Sequence, residues 1–216
     1  MPVVHLIRHG QASFGAAEYD ELSDLGREQS RTVGLALAAR SVRIDRAVSG
    51  ALRRQRDTAK LCLEAAGMPC EFSVDDRFDE YDHLGLAQQV MEDASVPTSS
   101  REFQAVLDAA LERWISGALV PAGMPTWGGF GDRVWAGLEE VLAGLGRGGS
   151  GAVFTSGGAI TAICARLLGL PPAGCVALHR VVVNGGITKI VSGRAGIALI
   201  SFNDHAHIPE PQLTYR

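Results

Sequence analysis

The sequence has little of several features that mark particular classes of protein. It holds four cysteines in 216 residues, none of them in CxxC spacing, and its formal net charge is −4. No hydrophobic run approaches the roughly 18 residues that a membrane span requires, and the first residues, MPVVHLIRHG, become charged too early for a signal peptide. We therefore expect reduced thiols, no general attraction to nucleic acid or to a membrane, and a cytoplasmic protein.

The sequence does contain enough apolar residues for a full core. Hydrophobic residues make up 46% of the chain, and its mean hydropathy is +0.10. Strand-like and helix-like segments alternate along most of the chain, which favours an α/β fold with a largely parallel sheet. The last third, RVVVNGGITKIV followed by GIALISFN, predicts strands joined by short turns and hence an antiparallel edge. The expected fold is a three-layer sandwich with helices on both faces of the sheet, in a single domain of residues 1–216.

Several element boundaries have local signals. Ser23 and Asp24 predict the start of a helix, because serine caps the first amides and an acidic residue suits the helix dipole. Ser99 and Glu102 form a capping box ahead of another helix. Residues 82–100 lack a clear period and predict an irregular insertion over the sheet edge. The other predicted elements are strands at residues 2–7, 44–48, 71–77 and 152–156, and helices at residues 51–66, 130–145 and 157–169.

One apparent motif is better explained as a loop. Residues 144–149, GLGRGG, match the pattern GxGxxG, which in dinucleotide-binding folds follows a strand and opens a helix. Here a predicted helix comes before the segment and a predicted strand comes after it. We expect no dinucleotide at this site and no organic cofactor elsewhere.

The clearest chemical signal is LIRHGQAS, residues 6–13, in which Arg8 and His9 follow a predicted buried strand. An arginine beside an imidazole at such a strand end suits the binding of phosphate. The segment SGALRRQRDTAKL, residues 49–61, follows the next strand, so its arginines are expected at the same sheet edge. Taken alone, an Arg-His pair is more often structural. Likewise, two of the three arginines at positions 53, 54 and 56 are expected to belong to a solvated helix face.

Together these motifs resemble those of the histidine phosphatase superfamily, whose fold is that of phosphoglycerate mutase. RHG after a first strand and SxxLxRxxxTA after a second match the family's order. The resemblance continues through LSDLGREQS, DEYDHLG, VFTSGG and SFNDHAHI, and so spans residues 6–208. Because no mutase-type substrate insertion is evident, the chain is more similar to the phosphatase branches. The resemblance implies one phosphoglycerate-mutase-like domain, with residues 82–130 as an insertion or cap over the active-site edge.

The resemblance implies catalytic roles for two residues and phosphate-binding roles for two others. His9 is the nucleophile, which forms a phosphohistidine. Arg8 and Arg54 bind the non-bridging oxygens of the phosphate and disfavour protonation of the imidazole. Glu80 protonates the leaving oxygen and then activates water, which requires a carboxyl group with a raised pKa.

The assignment of the general acid has alternatives. Two aspartates, Asp79 and Asp82, flank Glu80 in the same segment. Without the family resemblance, DDRFDEYD is only an acidic surface turn. The identity of the carboxylate that faces the site is therefore left open by the sequence.

Ser156 stands where the family has a second histidine that donates a hydrogen bond to the phosphate. A serine hydroxyl donates one hydrogen bond but carries no charge, so we expect Ser156 and the amide of Gly157 to bind phosphate in a slower enzyme. His205 and His207 are the candidates to replace the lost imidazole, although packed histidines near a strand end are the more common case. A metal site formed by this pair and Asp204 is disfavoured, because no further ligand has a recognisable spacing.

These assignments predict a metal-independent phosphomonoester hydrolase that acts through a phosphohistidine on a small phosphorylated metabolite. Three alternatives stay open: a phosphate-binding pseudoenzyme, a cofactor-dependent phosphotransferase of the phosphoglycerate mutase type, and a serine hydrolase. The last would use Ser156 with His205 or His207, but Phe154 stands where its nucleophile elbow needs glycine. The sequence specifies neither the substrate nor the oligomeric state.

Overall fold

A six-stranded sheet runs through the centre of the computed structural model, which describes residues 1–13, 20–91, 100–120 and 122–215. The strand order is β3-β2-β4-β1-β5-β6. The first four strands along the chain pair in parallel, whereas β5 is antiparallel to β1 and β6 is antiparallel to β5. The strands are β1 (Val3–Arg8), β2 (Arg46–Ser49), β3 (Ser73–Val74), β4 (Ser150–Thr155), β5 (Ile187–Gly193) and β6 (Gly196–Asp204).

Helices cover both faces of the sheet. They are α1 (Asp24–Ala39), α2 (Arg53–Ala65), α3 (His83–Met91), α4 (Ser100–Ile115), α5 (Trp127–Gly144), α6 (Gly157–Leu168) and α7 (Pro172–Arg180). One face packs Leu6 against a core drawn mainly from α4, α5 and α6, and the other packs Ile7 against α1 and α2. Neighbouring residues of β1 thus enter opposite cores, because side chains alternate along a strand. The predicted three-layer α/β fold is confirmed.

Local signals set several boundaries correctly. The Oγ of Ser23 accepts a hydrogen bond from the Gly26 amide at 3.0 Å, and α1 begins at Asp24 as predicted. The GxGxxG match begins at Gly144, the last residue of α5, and residues 145–149 form the loop that joins α5 to β4. Gly148, near the end of this loop, has a φ of +78°, a backbone conformation that glycine adopts without steric cost.

Two predictions of secondary structure were wrong. Residues 83–91, expected to be irregular, form helix α3, and the expected early strand in RVVVNGG is absent because β5 begins only at Ile187. Asn184, Gly185 and Gly186 make a turn there instead, with Gly185 at φ of +75°. Residues 172–180, for which no element was predicted, form α7 with proline at its first position.

The segment 82–130, predicted as a cap, contains α3, α4 and the beginning of α5. Ser99 of the predicted capping box lies outside the described residues. Its action as a cap stays a prediction. Among the described residues, no helix is both long enough and apolar enough to cross a membrane.

Candidate active site

The carboxyl ends of three parallel strands meet at one sheet edge and gather the predicted site residues. Arg8 ends β1 and pairs with Thr155 at the end of β4, and the His9 amide donates to the Thr155 carbonyl at 2.9 Å. Ser156 follows β4 and leads directly into α6. In open α/β sheets such an edge is where ligands bind.

His9 is buried, with 5% of its surface exposed. Its Nδ1 lies 2.7 Å from the carbonyl oxygen of Gly10, and its Nε2 lies 3.2 Å from Nε of Arg54. These partners assign the proton to Nδ1, which donates to the carbonyl, and leave on Nε2 a lone pair that accepts a hydrogen bond from Nε of Arg54. Burial, with the positive charges of Arg54 and Arg8, holds the pKa of His9 well below its ordinary value. The imidazole is therefore neutral at physiological pH and can act as a nucleophile.

The RHG motif needs glycine at position 10 because two backbone segments pack closely there. A Cβ at Gly10 would overlap the carbonyl oxygen of Gly26 and lie 2.9 Å from its Cα, so the loop after β1 and helix α1 approach each other backbone to backbone. The Gly10 amide donates to Oγ1 of Thr58 at 3.1 Å. The threonine of the second motif thus holds the loop that carries His9.

Arg8 is oriented by backbone carbonyl groups. Its NH1 donates to the carbonyl of Val182 and, at 3.0 Å, to that of Tyr215. The segment after α7 and the end of the described chain therefore fix the direction of this buried guanidinium. A fixed cation next to His9 is suited to bind an anion without reorganisation.

Of the three arginines in the second motif, Arg54 faces His9. It is 6% exposed, and its NH1 binds Oδ1 of Asp20 at 2.7 Å. Arg53 instead pairs with Glu21 and Asp57, and Arg56 is exposed. The prediction that two of the three belong to a solvated face agrees with this arrangement.

Glu80 reaches the N-terminus of α6. Its Oε2 accepts a hydrogen bond from the Gly158 amide at 3.0 Å. Burial raises the pKa of this carboxyl, although the Gly158 amide and the charges of Arg54 and Arg8 act in the opposite direction. A carboxyl group that is protonated more readily than usual is suited to give a proton to a leaving oxygen.

The two flanking aspartates point elsewhere. Oδ1 of Asp79 accepts from the amide of Ala51 at 2.6 Å, and Oδ1 of Asp82 accepts from the amide of Gly85 at 2.9 Å. Both side chains hold local backbone, Asp79 at the start of α2 and Asp82 at the start of α3. The geometry thus favours Glu80 among the three carboxylates.

Ser156 is fully buried and bound to a side chain that the sequence analysis did not consider. Its Oγ accepts a hydrogen bond from Nε2 of Gln55 at 2.8 Å, and the same amide donates to the carbonyl of Phe78 at 3.1 Å. The hydroxyl keeps its own proton for donation. A contact of Ser156 or Gly157 with phosphate stays a prediction.

The candidate histidines near the end of the chain contact backbone carbonyls. His205 Nδ1 lies 2.6 Å from the carbonyl oxygen of Asn203, and His207 Nε2 lies 3.0 Å from that of Gly185. Burial lowers the pKa of His207, whose charged neighbours include Arg40 and Asp204. These contacts fit packed histidines better than replacements for a catalytic imidazole. The described part of the chain contains no group of three or more potential metal ligands.

Three residues near the site escaped the sequence analysis. His179, in the last turn of α7, contacts Tyr81 and lies beside Gly157. His83, at the start of α3, is close enough to Arg54 for that charge to contribute to the lowering of its pKa, after burial. Gln55 had no motif to mark it. Two arginines, a neutral imidazole and a carboxyl with a raised pKa are groups that can neutralise phosphate charge, attack phosphorus and give a proton to a leaving oxygen.

Comparison with known proteins identifies the family that the motifs resemble. The sequence profile of the histidine phosphatase superfamily (branch 1) matches residues 4–205. None of the curated proteins matches the chain significantly. Among solved structures, mycobacterial glucosyl-3-phosphoglycerate phosphatase in complex with inorganic phosphate is 25% identical, with a TM-score of 0.68 over 96% of this chain and 99% of that chain.

Two less similar structures share the fold alone. YhfR of Bacillus stearothermophilus is 16% identical, with a TM-score of 0.73 over 97% of this chain and 100% of that chain. A phosphoserine phosphatase variant from Entamoeba histolytica is 19% identical, with a TM-score of 0.69 over 97% of this chain and 100% of that chain. These matches extend over nearly the full length of each chain, so the fold is shared.

Proposed function

The chain belongs to the histidine phosphatase superfamily, and on this basis we propose that it is a phosphomonoester hydrolase acting on a small phosphorylated metabolite. The observation that carries the proposal is the geometry of His9, whose unprotonated Nε2 faces the guanidinium of Arg54 at 3.2 Å. A phosphate bound by Arg54 and Arg8 would replace His9 as the acceptor for Arg54 and place its phosphorus within reach of the Nε2 lone pair. The similarity to glucosyl-3-phosphoglycerate phosphatase supports hydrolysis of a phosphate ester.

In the first proposed step, Nε2 of His9 attacks phosphorus. The N–P bond forms while the P–O bond to the leaving group breaks, and Glu80 transfers its proton to the leaving oxygen. Arg8 and Arg54 neutralise the charge on the non-bridging oxygens. The amides at the start of α6 add donors and the positive end of the helix dipole.

In the second step, water replaces the alcohol. Glu80, now a carboxylate, accepts a proton from the water as its oxygen attacks phosphorus, and the N–P bond breaks. Inorganic phosphate leaves, and His9 returns to its neutral form. The cycle needs no metal, and we expect the activity to survive treatment with a chelator.

The test compares the wild type with His9→Ala on a generic aryl phosphate and on a panel of small phosphate esters. We expect phosphate release by the wild type, loss of that activity in His9→Ala, and a phosphohistidine detectable after rapid quenching. His205→Ala is the matched control, because that ring contacts only local backbone among its described hydrogen bonds. Full activity in His9→Ala would overturn the proposal.

A pseudoenzyme would give a different result. It would be stabilised against heat by inorganic phosphate but would release none from any ester of the panel. That outcome would also overturn the proposal, while leaving phosphate as the ligand of the site. Release of phosphate only with a bisphosphorylated cofactor would instead indicate a mutase-type phosphotransferase.

A further inference from the structure

His179 connects two parts of the site that come from distant segments of the chain. It lies in the last turn of α7, which packs against α6 and α4. This helix was not predicted from the sequence, and no motif contains His179. Its side chain is partly buried, and both of its ring nitrogens face polar atoms.

One side of the ring meets the phosphate-binding residues. A Cβ placed on Gly157 would lie 3.3 Å from Cε1 of His179 and 3.6 Å from Cζ of Arg8. The imidazole, the guanidinium and the first residue of α6 therefore converge at one point. Because the point is at the helix N-terminus beside Arg8, it belongs to the wall of the predicted phosphate pocket.

The other side of the ring meets the loop of the general acid. Nε2 of His179 lies 3.0 Å from the hydroxyl of Tyr81, the residue that follows Glu80. A Cβ on Gly158 would overlap Oε1 of Glu80 and lie 2.7 Å from Cε1 of Tyr81, so carboxyl and phenol ring lie side by side over α6. The Tyr81 ring thus covers the carboxyl that needs a raised pKa.

The protonation state of the ring follows from its neighbours. Burial and then the charge of Arg8 lower the pKa of His179 to about 3, so the ring is neutral near pH 7. The Tyr81 hydroxyl then donates to Nε2, and Nδ1–H faces Oγ1 of Thr161 at 3.5 Å. A neutral ring cannot supply the charge of the family's second histidine, but it can hold its neighbours in place.

We propose that His179 is a positioning residue that couples the phosphate-binding side of the site to the loop carrying Glu80. This inference rests on the proposed function, since it assigns Glu80 as the acid of that reaction. Trp114 and Phe130 still hold the Tyr81 ring when the His179 contact is lost, but its hydroxyl then binds water at the edge of the site, beside the carboxyl. The pKa of Glu80 then falls toward its ordinary value, because burial is what raises it.

The test uses His179→Leu, His179→Gln and Tyr81→Phe. In His179→Leu we expect kcat to fall by up to about 10²-fold, the cost of misplacing a catalytic group by about 1 Å, with a smaller change in KM. The alkaline limb of the kcat pH profile, which reports protonated Glu80, should move to lower pH. Within the described part of the chain, the charged or titratable side chains that act on the pKa of Glu80 or of His179 are Arg8 on β1, Arg54 on α2 and His83 on α3.

Two comparisons separate coupling from simple damage. Tyr81→Phe should shift the same limb, and the double variant His179→Leu/Tyr81→Phe should shift it no further, because both changes break one contact. His179→Gln should restore most of the activity, since its amide oxygen can accept from Tyr81. Arg180→Gln is the control in the same turn; its side chain pairs with Asp108 at 3.1 Å, and we expect wild-type kinetics.

Several outcomes would overturn the inference. They are an unchanged alkaline limb in folded His179→Leu, additive effects in the double variant, or a loss of phosphate affinity with no change at Glu80. If the wild type shows no turnover, the proposed function fails, yet the coupling is still tested by titrating the carboxyl carbon of Glu80 by NMR. If His179→Leu does not fold, Tyr81→Phe and His179→Gln provide the same comparison.

Discussion

The Nε of Arg54 donates to the Nε2 of His9 across 3.2 Å, while NH1 of the same guanidinium binds Asp20 at 2.7 Å. One cation therefore contacts the predicted nucleophile with one nitrogen and a carboxylate with another. The carboxylate occupies a nitrogen that could otherwise bind a phosphate oxygen. This arrangement leads to predictions for both partners of Arg54.

Arg54→Lys should reduce kcat strongly. A lysine ammonium cannot contact both the imidazole and a phosphate oxygen in the fixed geometry of a planar guanidinium. Loss of one preorganised donor costs about 10²–10³ in rate, and steady-state kinetics on an aryl phosphate will measure it. Arg53 is adjacent in sequence but pairs with Glu21 and Asp57. The kcat of Arg53→Lys should stay within about twofold of the wild-type value, because an exposed ion pair contributes little free energy. Equal losses in both variants would contradict this role for Arg54.

Asp20→Asn should lower KM for phosphate esters. The carboxylate repels a dianionic substrate that approaches Arg54, and asparagine keeps an oxygen to accept from the Arg53 amide, as Asp20 does at 2.7 Å. A unit charge at about 4 Å in a solvated setting contributes ~1 kcal/mol, which corresponds to roughly fivefold in KM. Inorganic phosphate inhibition should tighten in parallel. Glu21→Gln, which affects only the exposed Arg53, serves as control, and a raised KM in Asp20→Asn would refute the prediction.

Gly158→Ala should remove general acid catalysis and also lower the stability of the fold, because the Tyr81 ring is packed against Trp114 and Phe130. The added methyl would overlap Oε1 of Glu80, the end of a flexible side chain, and lie 2.7 Å from the Tyr81 ring. Displacement of the acid should cost about 10²–10⁴ in kcat, and least for substrates with good leaving groups such as nitrophenol. Gly131→Ala is the matched control, because its nearest neighbour, Cβ of Ala162, is 3.9 Å away. Uniform loss across leaving groups would exclude this explanation.

Ser156→His should not by itself restore the family's second histidine. The hydroxyl lies 2.8 Å from Nε2 of buried Gln55, so an imidazole would collide with that amide. Overpacking of this kind costs about 1–3 kcal/mol of unfolding free energy, measurable by urea denaturation. The double variant Ser156→His/Gln55→Ala provides space, and its kcat should exceed that of the wild type. A faster single variant would show that Gln55 does not block the position.

Acidification below pH 6.5 should destabilise the protein. The pKa values of His9 and His179 are lowered in the folded state, that of His179 to about 3. The unfolded chain therefore binds protons at these histidines that the folded chain does not bind. As the pH falls from the unfolded to the folded pKa value, each such histidine lowers the free energy of unfolding by about 1.4 kcal/mol per pH unit. The raised pKa of Glu80 acts in the opposite direction. In urea titrations from pH 7 to 5, His179→Gln should show a shallower loss than the wild type; an equal slope would contradict the assignment.

Much of the fold was readable because its signals are local. The apolar runs of β1 and β4, the cap at Ser23 and the glycine turn at 148 act within a few residues and lie where expected, whereas the apolar run in RVVVNGG forms no strand. Helix α7 was missed because its sequence has no strong period or side-chain cap. Helix α3 was also missed because residues 82–100 show no clear hydrophobic repeat.

The sequence by itself determined the family, the α/β class of the fold and the set of residues at one sheet edge, because motif spacing and strand direction are properties of the chain. The cytoplasmic location and the absence of a cofactor stay predictions. Only the tertiary structure decided which carboxylate meets α6, that Gln55 binds Ser156 and that His179 meets Tyr81. These pairs are separated by 78, 101 and 98 residues, so no local pattern encodes them. They arise when packed helices and strands bring specific rotamers within hydrogen-bonding distance.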